Sequence, residues 1–326
     1  SGTSPRVYRR ERNICQYRCI DDNNRMKRPP TLHFNDRAVI LSPAGKIEGY
    51  IVQDAADVLE NWGLRPKISE NALCDEGRFS GSVKQRLSDL QNAFDDPLIK
   101  LILCSRGGYG MIHLIEKLNF SEIRKNPKWV VGYSDITSLH AALQTHGIAS
   151  LHGPMAQHFS DEGAGDISVR YTKSILAGQP VKYRIPVGNN FPLNRKGSAR
   201  GRLFGGNLSV FCSLLGSKYL KIPRGGILFI EDIGEAPYRV DRMIYQLKLA
   251  GIFRKINGLI VGQFTGYEED NLMYAPLHQS IWEAVNEYDF PVCFNFPAGH
   301  VRLNFPLLMG ATAILRVEND FSSFVQ

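Results

Sequence analysis

The sequence predicts an α/β protein in two parts: an N-terminal parallel sheet covered by helices, then a smaller, more β-rich α/β half. Three observations predict it. Between residues 38 and 145, short and nearly continuous apolar runs alternate with segments of helical spacing, as expected for strands buried on both faces of a parallel sheet. The chain has 326 residues, 43% of them hydrophobic and 22% charged, which is ample for two packed cores. Its character changes across residues 160–200, where Asp161-Glu162-Gly163-Ala164-Gly165 and Gly188-Asn189-Asn190 bracket a short helix and a strand. The expected division is a flexible basic leader (1–35), an N-terminal α/β domain (36–160), an interdomain linker (161–195) and a C-terminal domain (196–326).

Taken in order, Pro29-Pro30 stops any regular structure in the leader. Ala38–Leu41 reads as a strand. Residues 48–62 carry Ile51, Val52, Ala55, Val58, Leu59 and Trp62 at helical spacing, closed by Gly63. Arg65–Ile68 starts a strand, and Ser82–Phe94 is a helix with Val83, Leu87, Leu90 and Phe94 on one face. Ile99–Cys104 is a buried strand, followed by Arg106-Gly107-Gly108-Tyr109-Gly110 and an expected helix near 112–118. Trp129–Val131 is the next strand, then one tight turn at Ser134 and a helix from Ile136 to about Thr145. The second half opens with Gly201–Leu208 and a helix near 209–215. Gly226–Asp232 is a buried strand ending in acids, and a long helix covers about Tyr238–Ala250. Leu259–Gly262 is a strand, Ser280–Val285 belongs to a helix, Pro291–Phe294 leads to His300, and a hairpin lies around Ala313–Val317.

Charge and composition narrow the functional classes. Residues 1–30 hold eight Lys/Arg against three Asp/Glu, so five of the seven net positive charges lie in the leader. Such a tail could touch nucleic acid or an acidic surface, but no aromatic-interleaved basic motif accompanies it and it reads as a solvated, partly disordered leader; nothing argues that the folded body binds nucleic acid. No apolar run approaches the roughly 18 residues a membrane helix needs, and no secretory h-region is visible. Cys15-x3-Cys19 has no second pair to complete a zinc site, and Cys104, Cys212 and Cys293 sit in apolar runs as small hydrophobes. This usage fits reduced thiols in a cytoplasm.

In open α/β sheets ligands sit at the carboxyl ends of strands, where the Arg106 and Ser134 loops fall. A serine on a strand-to-helix corner exposes its hydroxyl beside the next N–H and a helix N-terminus, which suits a nucleophile; Ser134 or Asp135 as a simple helix cap is the competing reading. Gly107-Gly108 lets a backbone approach a ligand closely, without the GxxxxGK[ST] or GxGxxG of a nucleotide loop. Glu231 at a strand end could orient a histidine, with Asp232 and Glu235 competing. His300 follows Pro297-Ala298-Gly299, while His140 and His152 are closer to Ser134 in sequence. No HExxH is present, which disfavours a zinc peptidase.

The combination is more specific than its parts. Arg106-Gly107-Gly108-Tyr109-Gly110, Gly132-Tyr133-Ser134-Asp135-Ile136-Thr137 with Leu139-His140, and His152-Gly153-Pro154 resemble the LD-carboxypeptidase (muramoyltetrapeptide carboxypeptidase) family of serine peptidases. The likeness continues through Gly201-x-Leu203-x-Gly205-Gly206-Asn207-Leu208, through Phe229-Ile230-Glu231-Asp232-Ile233-x-Glu235-x-x-Tyr238-x-Val240-Asp241-Arg242, and through Pro297-x-Gly299-His300-x-x-x-Asn304. It covers about residues 36–320, and the leader has no counterpart. The microcin C self-immunity peptidases belong to the same family.

The resemblance implies a Rossmann/flavodoxin-like N-terminal domain, a C-terminal domain and an active site in the cleft between them. It implies a triad of Ser134 (nucleophile), Glu231 (acid) and His300 (base). The backbone N–H groups of Asp135 and of Gly107 or Gly108 would form the oxyanion hole. Arg106, Arg242, Arg302 and Asn304 are candidates for binding a small peptide with a free C-terminal carboxylate. Neither metal nor cofactor is implied, and homodimers are common. The expected reaction is release of the terminal D-alanine from murein tetrapeptide in peptidoglycan recycling. Two alternatives stay open: an immunity-type peptidase cleaving a peptide or aminoacyl nucleotide, and a non-catalytic ligand-binding protein on the same scaffold.

Overall fold

The computed structural model describes residues 26–186 and 193–326. The basic residues up to Arg25, and Cys15 and Cys19 with them, lie outside the described residues. The end of the expected leader is laid down on the fold: Lys27 N–H donates to Gly147 O (2.8 Å), and the Trp129 indole donates to Pro30 O (2.7 Å).

The first half forms β1 (Arg37–Leu41), α1 (Gly49–Asn61), β2 (Arg65–Ile68), α2 (Val83–Asp95), β3 (Ile99–Cys104), α3 (Ser121–Lys125), β4 (Trp129–Gly132), α4 (Thr137–Thr145) and β5 (Ser150–His152). These five strands pair parallel with one another. Alternation sorts their side chains. Ala38 and Ile40 face one core with Leu101, Leu103, Trp129 and Val131; Val39 and Leu41 face the other with Ile102 and Val130. α2 starts with a full capping box, in which Ser82 and Gln85 satisfy each other's backbone N–H.

The chain continues through α5 (Ala156–Glu162), α6 (Ile167–Leu176), β6 (Lys182–Pro186), β7 (Gly197–Asn207), α7 (Leu208–Ser213), β8 (Gly226–Ile233), α8 (Pro237–Leu249), β9 (Ile256–Thr265), α9 (Leu277–Val285), β10 (Val292–Cys293), β11 (Leu307–Met309), β12 (Thr312–Val317) and β13 (Phe321–Val325). The second sheet has the order β10-β9-β8-β7-β12-β13-β6, parallel from β10 to β7 and antiparallel beyond. β6 falls inside the stretch expected to link the domains, yet it pairs with β13 as the edge of this sheet. The first sheet has the order β11-β5-β4-β3-β1-β2: β11 returns from the C-terminal part of the chain and pairs antiparallel with β5.

The helix expected near 112–118 is not formed. Met111–His113 is a single 3-10 turn followed by further turns, although Met111, Leu114, Ile115 and Leu118 are buried as a helical face would be. Gly110 holds φ at +130°, and the bonds that follow reach back three residues, from His113 N–H to Gly110 O, Leu114 N–H to Met111 O and Lys117 N–H to Leu114 O, so the segment winds as tight 3-10 turns. One continuous core joins the two sheets, running from Ile40 and Trp129 through Leu151 and Leu307 to Phe229 and Phe296. Fully burying each such side chain stabilises by roughly 2 kcal/mol, so the halves are joined by apolar packing as well as by chain.

Candidate active site

The carboxyl ends of β1, β3 and β4 point the same way because these strands are parallel. β4 ends at Gly132, Tyr133 is fully extended, and Ser134 then turns with φ +64° into the 3-10 turn Ser134–Ile136 that leads into α4. A left-handed conformation at a non-glycine residue is strained and is held only where the surroundings insist on it. Ser134 is therefore not an ordinary cap: the N-cap positions of the 3-10 turn and of α4 fall on Tyr133 and Ile136.

The loop after β3 lies against this corner. A β-carbon on Gly107 would stand 2.7 Å from Ser134 Cβ, 2.8 Å from its Oγ and 3.5 Å from Asp135 N, so only glycine lets the backbone come this close. Gly107, the Ser134 hydroxyl and the Asp135 N–H are thus brought together; Gly108 is one residue further out, with its Cα side turned to Gly45. The loop is tied down from beneath. The buried Asp135 carboxylate accepts the Met111 N–H at 2.8 Å, and the buried Arg86 guanidinium donates to Gly81 O, Pro43 O and Gly110 O. Burial pushes Asp135 up to about 6, against the pull of Met111 N–H, Arg86 and Gly110 N–H. Sequence reasoning missed Arg86. The signal was a cation at helical spacing on the apolar face made by Val83, Leu87 and Leu90.

β8 supplies Glu231, which is fully buried. Glu231 Oε2 and His300 Nδ1 are 2.8 Å apart. With a carboxylate as partner Nδ1 carries the hydrogen, which leaves Nε2 as the accepting nitrogen. Gly299 has φ +126°, and a β-carbon there would lie 2.9 Å from Glu231 Oε2, so a side chain would wedge this pair apart. The His300 ring packs edge-on against Tyr133 with centroids 4.9 Å apart, which puts the histidine beside the residue preceding Ser134. Burial pushes the Tyr133 phenol up to about 12.

The competing candidates are accounted for by placement. Asp232 is on the opposite face of β8 from Glu231, where it accepts from Asn207 Nδ2 (2.8 Å) and Ser209 N (2.9 Å), and burial pushes it up to about 6. Asn207 N–H in turn donates to Thr137 Oγ1 (3.0 Å), joining β7 to the first turn of α4. This bridge was not foreseen, because it pairs residues 70 positions apart. Glu235 lies within 3.8 Å of Arg239. Both ring nitrogens of His140 are engaged, with Ser150 Oγ and Gly132 O at 2.8 Å each, and burial pulls its pKa down to about 4. His152 is fully buried between Tyr133 and Phe229.

The four binding candidates separate. Arg106 adjoins Gly107 and its guanidinium donates to Lys46 O (3.1 Å). Arg242 is exposed on α8 and lies over the Tyr238 ring. Arg302 is exposed and pairs with Glu162 at 2.6 Å. Asn304 is fully buried, where its Oδ1 accepts the Gly299 N–H at 3.0 Å and so holds the His300 loop. Among the described residues no group of three or more His, Cys, Asp or Glu is arranged to hold a metal ion, and no helix is long and apolar enough to cross a membrane.

Comparison with known proteins gives consistent matches. A family model for the LD-carboxypeptidase N-terminal domain matches residues 39–153, and one for the C-terminal domain matches residues 200–315. The murein tetrapeptide carboxypeptidase of Pseudomonas aeruginosa is 30% identical over 86% of this chain and 92% of its own. The crystal structure of muramoyltetrapeptide carboxypeptidase from Oxalobacter formigenes superposes with a TM-score of 0.81 at 27% identity, covering 89% of this chain and 98% of that one. The microcin C7 self-immunity protein MccF, solved in complex with aspartyl sulfamoyl adenosine, shares the fold with a TM-score of 0.80 at 22% identity over 92% and 98% of the two chains.

Proposed function

The chain belongs to the LD-carboxypeptidase family and is a serine-type peptidase, and from that premise we propose that it releases the terminal D-alanine from murein tetrapeptide through a Ser134–Glu231–His300 triad. The observation that carries this reading is the 2.8 Å Glu231–His300 pair packed against Tyr133, next to a strained serine corner. His300 Nε2 takes the Ser134 proton, and Glu231 fixes the imidazole tautomer and stabilises the imidazolium. Ser134 Oγ attacks the carbonyl next to the C-terminal residue. The N–H groups of Asp135 and Gly107 hold the oxyanion, each such donor lowering the barrier by about 3 kcal/mol. The protonated His300 then gives its proton to the leaving amine, and water, deprotonated by the same histidine, frees the acyl-enzyme.

On this reading the nucleophile belongs to a domain of residues 36–160, the acid and base to one of 196–326, and 161–195 spans them. The protein works as a homodimer in the cytoplasm on peptides recovered from the cell wall; light scattering and cell fractionation check these points. The murein carboxypeptidase names of its relatives support this substrate. The shared fold with MccF favours a second reading, an immunity-type cleavage of an aminoacyl nucleotide. The test is a mass-spectrometric assay offering tetrapeptide and an aminoacyl nucleotide side by side. Conversion of tetrapeptide to tripeptide plus D-alanine, lost in Ser134→Ala with the fold intact, supports the first reading. Turnover of the nucleotide alone replaces it with the second, and tetrapeptide turnover that survives Ser134→Ala removes the serine.

A further inference from the structure

The second sheet is covered unevenly. Over β8, β9 and β10 its outer face is packed by α7, α8 and α9, where Leu228, Leu259 and Val261 meet Phe211, Ile244 and Ile281. Its inner face turns Tyr183, Ala199, Ala313, Leu315 and Phe324 into the shared core. Alternation therefore turns the other residues of β6, β7, β12 and β13 outward. There Lys182, Arg184, Arg200 and Arg316 are exposed, and Arg202 stands in the same row.

The register joins these cations into one patch. Arg200 lies opposite Ile314, Arg202 opposite Thr312, and Arg316 between Ser198 and Ser323; Ser323 faces Arg184 in turn, and Val325 faces Lys182. Four adjacent strands span about 15 Å. The stretches 182–186, 197–202, 312–317 and 321–325 contain no Asp or Glu. Lys182, Arg184, Arg200 and Arg316 make no ion pair with a carboxylate among the described residues. Glu318 and Asp320 stand in the turn between β12 and β13, at one end of the patch, and Asp289 shares a depression with Arg200 and Arg254 at its side.

We propose that this sheet face is the surface by which the protein rests on an anionic phospholipid bilayer. The inference goes beyond the peptidase reading and does not depend on it. Guanidinium groups meet lipid phosphates with paired N–H donors. Ile314 and Val325, opposite each other among the cations and only partly covered, suit the boundary between headgroups and acyl chains. Single-stranded nucleic acid fits less well, because Phe321, the aromatic of this face, lies under the Arg184 guanidinium at 4.1 Å and offers no free ring for a base. A second copy of the chain would set arginine against arginine. The described chain begins at Met26, which lies against Gly310, two residues before β12. The excess positive charge of residues 1–30 thus joins the fold at the Thr312 end of the same face, where it adds to the attraction.

The experiment is co-sedimentation of the full chain with vesicles of phosphatidylcholine alone or mixed with phosphatidylglycerol. The expected result is binding to the mixed vesicles only, weakening steeply as salt is raised. Each cation at such a surface contributes about fivefold, so the combined variant Lys182→Gln, Arg184→Gln, Arg200→Gln and Arg316→Gln should bind at least 100-fold more weakly. Ser323→Glu, which leaves every cation in place and sets one acid between Arg184 and Arg316, should bind about fivefold more weakly or less tightly still. Thermal melting checks that both variants fold, and the single substitution decides if the combined one does not. Equal binding to both kinds of vesicle overturns the proposal. So does undiminished binding by the variants, which would leave the leader as the only attachment. Binding of single-stranded RNA but not vesicles, lost in the same variants, would assign the face to nucleic acid instead. A dimer that Ser323→Glu dissociates in sedimentation velocity would assign it to a second copy.

Discussion

Gly107 and Ser134 are in such close contact that a single added methyl would stand 2.8 Å from the serine oxygen. The strand end that carries the hydroxyl and the loop that carries Gly107 are thus built as one surface. Gly107→Ala should push the loop away from the corner and cost on the order of 100-fold in kcat/KM, the scale of one lost oxyanion donor. Steady-state release of D-alanine, read beside a thermal melt that moves little, checks it.

Ser134 sits at φ +64°, a conformation that costs a side-chain-bearing residue about 1 kcal/mol more than glycine. Ser134→Gly should therefore abolish turnover and at the same time raise the unfolding free energy by about 1 kcal/mol. Urea unfolding of the two proteins measures it. A destabilised glycine variant would mean that contacts of the hydroxyl, rather than the backbone, hold the corner.

Glu231→Gln keeps the shape of the acid but lets its amide donate toward His300 Nδ1. The imidazole then favours the wrong tautomer, and kcat should fall by roughly 10³- to 10⁴-fold with KM little changed. Single-turnover kinetics with the tetrapeptide checks this; a loss below tenfold would remove Glu231 from the proposed triad.

Asp135 and Asp232 are both pushed up to about 6 by burial. A carboxyl whose pKa is higher folded than unfolded binds more protons in the native state between about pH 4 and 6, so stability falls as pH rises through that window. For Asp135 the two-unit displacement corresponds to about 3 kcal/mol between the ends of the window. Asp135→Asn should flatten this slope, whatever it does to absolute stability. Denaturant unfolding from pH 4.5 to 7 compares the two slopes.

Much of this was legible in the sequence, for identifiable reasons. β3, β4 and β8 are unbroken apolar runs, and a strand buried on both faces cannot be written otherwise. The Ser134 turn was legible because Gly132 ends the run and helical spacing resumes within four residues. Glu231 and His300 were different. Nothing local marks a strand-end acid or a loop histidine, so the roles proposed for them came from the family likeness, and their 2.8 Å contact needed coordinates. β5 and β11 were missed because three residues are too few to show a period. The 112–118 segment misled because it has the right burial for a helix and the wrong hydrogen bonding: Leu114 N–H donates to Met111 O and Lys117 N–H to Leu114 O, three residues back rather than four.

β11 has a consequence for how the protein comes into being. The first sheet cannot be finished until residues 307–309 exist to close its edge against β5, and these leave the ribosome long after β5 itself. A nascent chain that ends near residue 160 exposes an open strand edge capable of pairing with other chains. The molecule is thus assembled as a whole, and severing its halves would leave the serine on an unfinished sheet.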